Sequence, residues 1–416
     1  MSPVPQTTPS SDHLEVTLDK LAYGGEALGR LPDGRAVFVP FGLAGEKVRI
    51  RVVEEKRSHV RAELLEILVP APERIPARCR HFGVCGGCHL QNLSYTDQLK
   101  AKQSILEDQL RRIGRIDRPP LRPVVASPQE WNYRNHVQFH LTTEGRLGYV
   151  AARGETVVPI SECHLPQTAI SEFWPQLAFD PGMSLARIGL RAGYGDELML
   201  VLDSEQTPEM ELEAGLSVVH LNGEDAFVIA GDERLVMRAA GRDFQLSAAS
   251  FFQVNTPMAE KMVEHLLAIL PVGPGDTLLD VYCGVGLFSA FFAPRVERLI
   301  GIERSASACA DFAINLDEYD NVELYEAAAE QVLPSLPIHP AAAIVDPPRA
   351  GLERQALDAL AALAPQRIAY VSCDPATLGR DAARLIASGY CLEQVTPFDL
   401  FPQTYHIESI SLFLKT

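Results

Sequence analysis

The chain has no run of about 18 apolar residues, so no membrane-spanning helix is expected. Its first residues, MSPVPQTTPSSDH, lack the charged start and apolar core of a secretory signal. They read as a disordered polar tail, and the protein as cytoplasmic. Cysteine is sparse: eight in 416 residues exclude a disulfide scaffold and have to be read by their spacing. Positive charge is also short, with 37 Lys and Arg against 54 Asp and Glu and a net charge of −17. That argues against a surface coated in positive potential. No internal repeat is present. An apolar fraction of 47% is ample for folded cores, and the length suggests two or three domains.

Local charge differs from the total. Six basic residues (Lys47, Arg49, Arg51, Lys56, Arg57, Arg61) face only Glu54 and Glu55 between positions 47 and 61. Arg111, Arg112, Arg115, Arg118 and Arg122 are accompanied by Asp117 alone. These stretches fit either a confined RNA track or two solvated faces.

Residues 13–70 carry short alternating runs (LEVTL, AVFVP, KVRIRVV, VRAELLEIL) parted by glycine turns. Such spacing predicts a small barrel of the oligonucleotide-binding kind. VPAPERIPAR reads as a linker. YTDQLKAKQSILEDQLRRIG has helical periodicity, with Leu99, Ile105, Leu106 and Leu110 on one face. Residues 131–240 look β-rich, with a hairpin around Glu144-Gly145. From about residue 245, strand-like TLLDVY, RLIGIE, AAIVD, RIAYVS and ESISLFLK alternate with helix-like segments. That alternation predicts a doubly wound α/β domain.

TLLDVY runs into CGVGLFS, where Gly284 and Gly286 allow a tight turn at a strand end. A third glycine, which a dinucleotide fingerprint requires, is replaced by Ser289. Glu303 closes the next strand, where a carboxylate can accept both ribose hydroxyls of a nucleoside. The layout is that of S-adenosylmethionine-dependent class I methyltransferases, with a dinucleotide fold as the alternative. Asp346 ends a later strand before Pro347-Pro348, and Cys373 ends another before Asp374-Pro375. A thiol beside a helix N-terminus is expected to have a lowered pKa, as a nucleophile requires. A turn aspartate and a small buried cysteine are the bland alternatives. Glu408 opens the last strand after His406 and could act as a base or be a surface carboxylate. Cys79-x5-Cys85-x2-Cys88 with the distant Cys163 offers four thiolates, suited to zinc or to an iron–sulfur cluster.

Taken together, SFFQVN (250–255), LLDVYCGVGLFS (278–289), GIE (301–303), VDPPRAGL (345–352), SCDPATLGRD (372–381), HIES (406–409), YRN (133–135) and the CGGC segment resemble the RNA uracil-5-methyltransferase family. Within it, they resemble the 23S ribosomal RNA type. The resemblance implies a multidomain chain: an N-terminal all-β OB-like (TRAM) barrel, 13–70; a small β-rich central iron–sulfur domain, 75–245; and a C-terminal α/β class I (Rossmann-like) methyltransferase domain, 246–416. A helix near 95–113 would pack on the catalytic domain. The resemblance also implies Cys373 as nucleophile and Glu408 as base. Gln253, Tyr282, Gly284, Gly286, Glu303 and Asp346 would bind S-adenosylmethionine. Cys79, Cys85, Cys88 and Cys163 would hold a 4Fe–4S cluster. The implied partner is 23S ribosomal RNA, with no membrane, and the protein is expected as a monomer. The alternatives are uracil-5 methylation of tRNA and a non-catalytic RNA-binding protein. Asp374 and Leu287 depart from the family pattern, which leaves the turn hydrogen bonding and any side-chain contact from position 287 open.

Overall fold

The structure, a computed structural model, describes residues 13–208, 215–223 and 225–416. It divides into two compact units. The first comprises residues up to Gly83, with Cys88–Ala101 and Gln403–Tyr405; the second comprises Val84–Gly87, Lys102–Pro402 and His406–Thr416.

In the first unit, strands His13–Leu21, Glu26–Arg30, Ala36–Pro40, Lys47–Glu55 and His59–Val69 close into a barrel. Alternation explains it: Val16, Leu18, Val37, Val39, Val48, Ile50 and Val60 point inward and are buried. The outward positions are charged. Arg49 pairs with Glu66, Arg51 with Glu63, and Lys47 with Glu15 at 2.7 Å. The basic stretch 47–61 is therefore laced with acids from neighbouring strands and is no bare positive track.

In the second unit, residues between His136 and Ala230 supply a seven-stranded sheet among the described residues. Its first hairpin, His136–Leu141 with Leu147–Val150, turns at Glu144-Gly145 as the sequence suggests. A second seven-stranded sheet carries the α/β region. Its strands are β1 (Thr277–Val281), β2 (Arg298–Glu303), β3 (Val322–Glu326), β4 (Ala342–Val345), β5 (Arg367–Ser372), β6 (Tyr390–Phe398) and β7 (Glu408–Lys415). Their order is β3-β2-β1-β4-β5-β7-β6, parallel except for β7. β3 and β6 are missing from the sequence reading. Both are edge strands, where charge and proline replace the apolar run. Central strands such as β4 and β5 are buried on both faces and read as apolar. From Lys102 onward, the helix Tyr95–Arg112 belongs to this unit. Its end lies close against the helix Pro375–Ala387, where a Cβ on Gly379 would come within 3.2 Å of the Gln109 carbonyl. Among the described residues, no helix is long and apolar enough to cross a membrane.

Candidate active site

Parallel strands present their C-terminal ends on one edge, and the crevice opens where the order reverses beside β1. β1 ends in Asp280 and Val281, and the chain then turns sharply. Tyr282 takes a left-handed conformation, φ 66°, which costs a non-glycine residue about 1–3 kcal/mol. Two bonds hold it there: the N–H groups of Tyr282 and Cys283 both donate to the Ile302 carbonyl, at 2.8 and 3.2 Å. Gly286 serves packing. A Cβ there would lie 2.4 Å from Leu316 and 3.0 Å from Phe312 of the neighbouring helix segment. Glu303 at the end of β2 is fixed by backbone: Gly284 donates to Oε2 at 3.1 Å, and Arg304 and Ser305 donate to Oε1 at 2.7 and 2.8 Å.

Three further strand ends complete the wall. β4 delivers Asp346, whose N–H donates to the Val281 carbonyl. β5 delivers Cys373 just ahead of a helix capped by Asp374. The Asp374 carboxylate accepts from the N–H groups of Ala376 and Thr377, each at 2.9 Å. An aspartate therefore fills the turn at 374 fully. β7 pairs antiparallel with β5, Ser372 opposite Ser409, so one position on Cys373 stands across from Glu408. Two bonds from the SCDPATLGRD motif tie down the loop after Asp346. Asp381 accepts from the Leu352 N–H at 2.9 Å, and Arg380 donates to the Ala350 carbonyl at 2.8 Å. Gly351 between them, at φ 75°, has no room for a side chain: a Cβ would lie 2.5 Å from both Arg380 and Asp381.

These ends enclose a cavity of about 790 Å³, within the range of nucleoside-sized sites. Gln253, Tyr282, Gly284, Glu303, Asp346, Cys373 and Glu408 all line it. Gly286 does not line it. Leu287 lines it as well. Sequence reasoning missed Arg349, Phe251, Phe401 and His406, which also face the cavity. Arg349 could have been found inside VDPPRAGL, the only cation of that motif.

The electrostatics reverse one expectation. Cys373 does not carry a lowered pKa. Burial pushes its thiol up to about 12, and the nearby Glu408 and Asp346 add to the shift, while Arg349 opposes it. The helix N-terminus does not offset this burial, and Asp374, whose carboxylate caps that helix, adds to the shift. Burial also raises Asp346 to about 7, helped by Asp280 and Glu303. Asp280 rises to about 6 for the same first reason. Glu408 is 3% exposed and lies well above the usual carboxylate range, through burial and then Asp346. Tyr282 is pushed up to about 12, by burial and then Glu330. Burial and neighbouring acids thus make ionisation costly along this wall.

Among the described residues, no group of three or more His, Cys, Asp or Glu side chains is placed to hold a metal ion. Cys85 and Cys163 belong to the second unit, where both lie near the buried Tyr149. Cys79 and Cys88 belong to the first. Two of the sulfurs accept a local backbone bond: the His81 N–H reaches Cys79 and the Gly87 N–H reaches Cys85, each at 3.4 Å. The central iron–sulfur site implied by the resemblance has no support in this geometry.

Comparison with known proteins places this arrangement. The tRNA (Uracil-5-)-methyltransferase family pattern matches residues 229–337 and 338–416, and the TRAM domain pattern matches 12–65. An uncharacterized RNA methyltransferase of Thermosynechococcus vestitus is 33% identical, over 96% of this chain and 97% of the relative. Another, of Aquifex aeolicus, is 34% identical over 96% and 98%. Among solved structures, the tRNA (uracil-54, C5)-methyltransferase of Pyrococcus abyssi, in complex with S-adenosyl-L-homocysteine, shares the fold. Its TM-score is 0.75 at 24% identity, covering 96% of this chain and 100% of that one. Full-length identity above 30% and a matched catalytic region make this chain a member of the RNA uracil-5-methyltransferase family, an RNA methyltransferase with an N-terminal TRAM domain.

Proposed function

We propose that the chain methylates C5 of a uracil in RNA through a covalent adduct on Cys373. One observation carries the reading: adjacent strand ends bring a thiol and two carboxylates to one wall of a nucleoside-sized cavity. S-adenosylmethionine, when bound, supplies an electrophilic methyl group. The cavity suits it. The Glu303 carboxylate is held by three N–H groups and keeps lone pairs for ribose hydroxyls. Asp346, Gln253, Tyr282 and Gly284 line the remaining wall. A positive charge placed there favours the ionised form of every acid in it.

Uracil C5 is too weak a nucleophile to take a methyl group unaided. Cys373 gives up its proton to solvent and its sulfur adds to C6, which moves the ring's electrons toward C5. C5 then takes the methyl group. Glu408 removes the proton left on C5, the C5–C6 double bond re-forms, and the sulfur leaves as thiolate. Arg349 faces both Cys373 and Glu408 and favours their charged forms. The target base has to leave its stack to reach this wall.

The substrate proposed is 23S ribosomal RNA, as the sequence resemblance implies. A tRNA is the second reading, because the Pyrococcus abyssi enzyme shares the fold along nearly the whole chain, barrel included. Iron and sulfide analysis of anaerobically prepared protein decides whether a 4Fe–4S cluster is present. The functional test is mass spectrometry of unmodified 23S and tRNA transcripts after incubation with protein and S-adenosylmethionine. One methyl on a uridine of 23S RNA, absent with Cys373→Ala, is the expected result. Methyl on tRNA selects the second reading, and methyl on neither overturns both.

A further inference from the structure

Phe398 and Glu408 pair across β6 and β7, so the chain between them leaves the sheet and returns at the proposed base. Its first four residues, Asp399–Pro402, are tied down in an unusual way. Three successive carbonyls each accept a bond from a buried side chain remote in sequence. Asn255 Nδ2 reaches Leu400 at 3.1 Å, Lys102 Nζ reaches Phe401 at 2.9 Å, and Tyr133 Oη reaches Pro402 at 3.0 Å. Lys102 also binds the Asp399 carboxylate at 2.6 Å, an ion pair with both partners at most 1% exposed. Phe401, in the middle of this strap, lines the cavity. Asn135, two residues beyond Tyr133, holds the carbonyl of Gln253, another cavity residue, at 2.9 Å.

A buried lysine is costly to keep, and burial lowers its pKa against the pull of Asp399. A surface loop would not need it. We infer that Lys102 and Tyr133 are positioning residues: they hold the Asp399–Pro402 strap so that Glu408 and Phe401 stand at fixed places beside Cys373. The YRN motif then has a physical role, with Tyr133 holding one cavity segment and Asn135 another. The role of the helix Tyr95–Arg112 follows from Lys102.

The inference rests on the proposed roles of Cys373 and Glu408, and its test separates the two. A misplaced base slows removal of the C5 proton but leaves addition of Cys373 to C6 alone. Methylated protein–RNA adduct should then accumulate, whereas a merely weakened fold lowers adduct and turnover together. The measurement is single-turnover reaction with whichever unmodified transcript, 23S or tRNA, is methylated. Adduct is read on denaturing gels and proton release from RNA tritiated at uracil C5. Tyr133→Phe is expected to slow proton release about 10- to 100-fold and to raise the adduct fraction severalfold. The double variant Lys102→Met with Asp399→Asn, which leaves no buried charge unpaired, is expected to do the same. Adduct falling in step with turnover, or neither changing, overturns the inference. Glu408→Gln is the reference. If it raises the adduct and the strap variants do not, only the strap inference falls. If Glu408→Gln raises none, the base assignment falls and the strap role with it.

Discussion

Charge is handled in opposite ways in the barrel and in the catalytic cavity. On the barrel, acids and bases alternate across strands, exposed and paired: Arg49 with Glu66 and Glu15, Arg51 with Glu63, Lys47 with Glu15. Exposed pairs of this kind contribute little to stability and keep the surface soluble. In the cavity, Asp346, Cys373 and Glu408 share one wall, and burial raises the pKa of each. The first arrangement spends nothing and does nothing chemical. The second stores free energy that only a bound cation or a reaction step can release, as expected where function opposes stability.

The largest effects should come from the cavity. Cys373→Ala removes covalent activation and should lower methyl transfer by about 10⁴-fold or more, measured by methyl incorporation into RNA. The barrel and its pairs would be untouched, so RNA binding by filter retention should stay within about twofold of wild type. Glu408→Gln should cost about 10²- to 10⁴-fold in turnover, the range of a positioned general base. An unchanged rate in either variant would remove the distinction drawn between the two regions.

Asp346→Asn tests the stored energy itself. In the folded protein this carboxyl ionises near pH 7, against an ordinary value of 3.8. Below about pH 4 it is protonated in both folded and unfolded chains and costs nothing. As pH rises toward 7, the unfolded chain ionises and the folded one resists, so stability falls; above 7 the cost is complete. The asparagine variant should match wild type at pH 4 and be more stable at pH 8, by at most about 4 kcal/mol. Urea melts of ligand-free protein at the two pH values measure this. On the proposed reading, S-adenosylmethionine should bind the variant about tenfold more weakly, because the cavity has lost a carboxylate. Equal stability at both pH values would mean that Asp346 is solvated like a barrel acid.

What the sequence revealed follows the same division. Strand ends marked by proline, glycine or a closing acid were legible: Glu303, Asp346, Cys373 and Glu408 all arrive at one cavity. Each sits at a local break that sequence punctuates. The sign of the Cys373 shift was not legible, because it depends first on burial and then on Glu408 and Asp346, and none of these is local in sequence. Gly286 reads as a ligand glycine, and the close approach of Phe312 and Leu316, which also requires a glycine there, was not legible. The edge strands β3 and β6 were missed because edges are built polar. The ties of Lys102, Tyr133 and Asn255 to the strap span 145 to 299 positions and leave no local pattern.

The smallest expected effect concerns the two arginine-bearing stretches, which composition alone could not tell apart. Arg51 is engaged by Glu63 on the barrel, so an approaching phosphate has to compete with a carboxylate already in place. Arg115 and Arg118, past the end of the helix Tyr95–Arg112, are exposed and join no ion pair among the described residues. A phosphate bound by a free arginine releases its counterions outright, whereas one bound by Arg51 also has to displace Glu63. Log affinity should therefore fall less steeply with log salt once Arg115 or Arg118 is replaced by alanine, by about one unit of slope each if both touch RNA. Arg51→Ala should leave the slope nearly unchanged and the melting temperature within about 2 °C. If Arg51→Ala flattens the slope as much as Arg115→Ala does, the barrel pairs open to meet RNA. Their neutrality is then a resting state and not a fixed property of that surface.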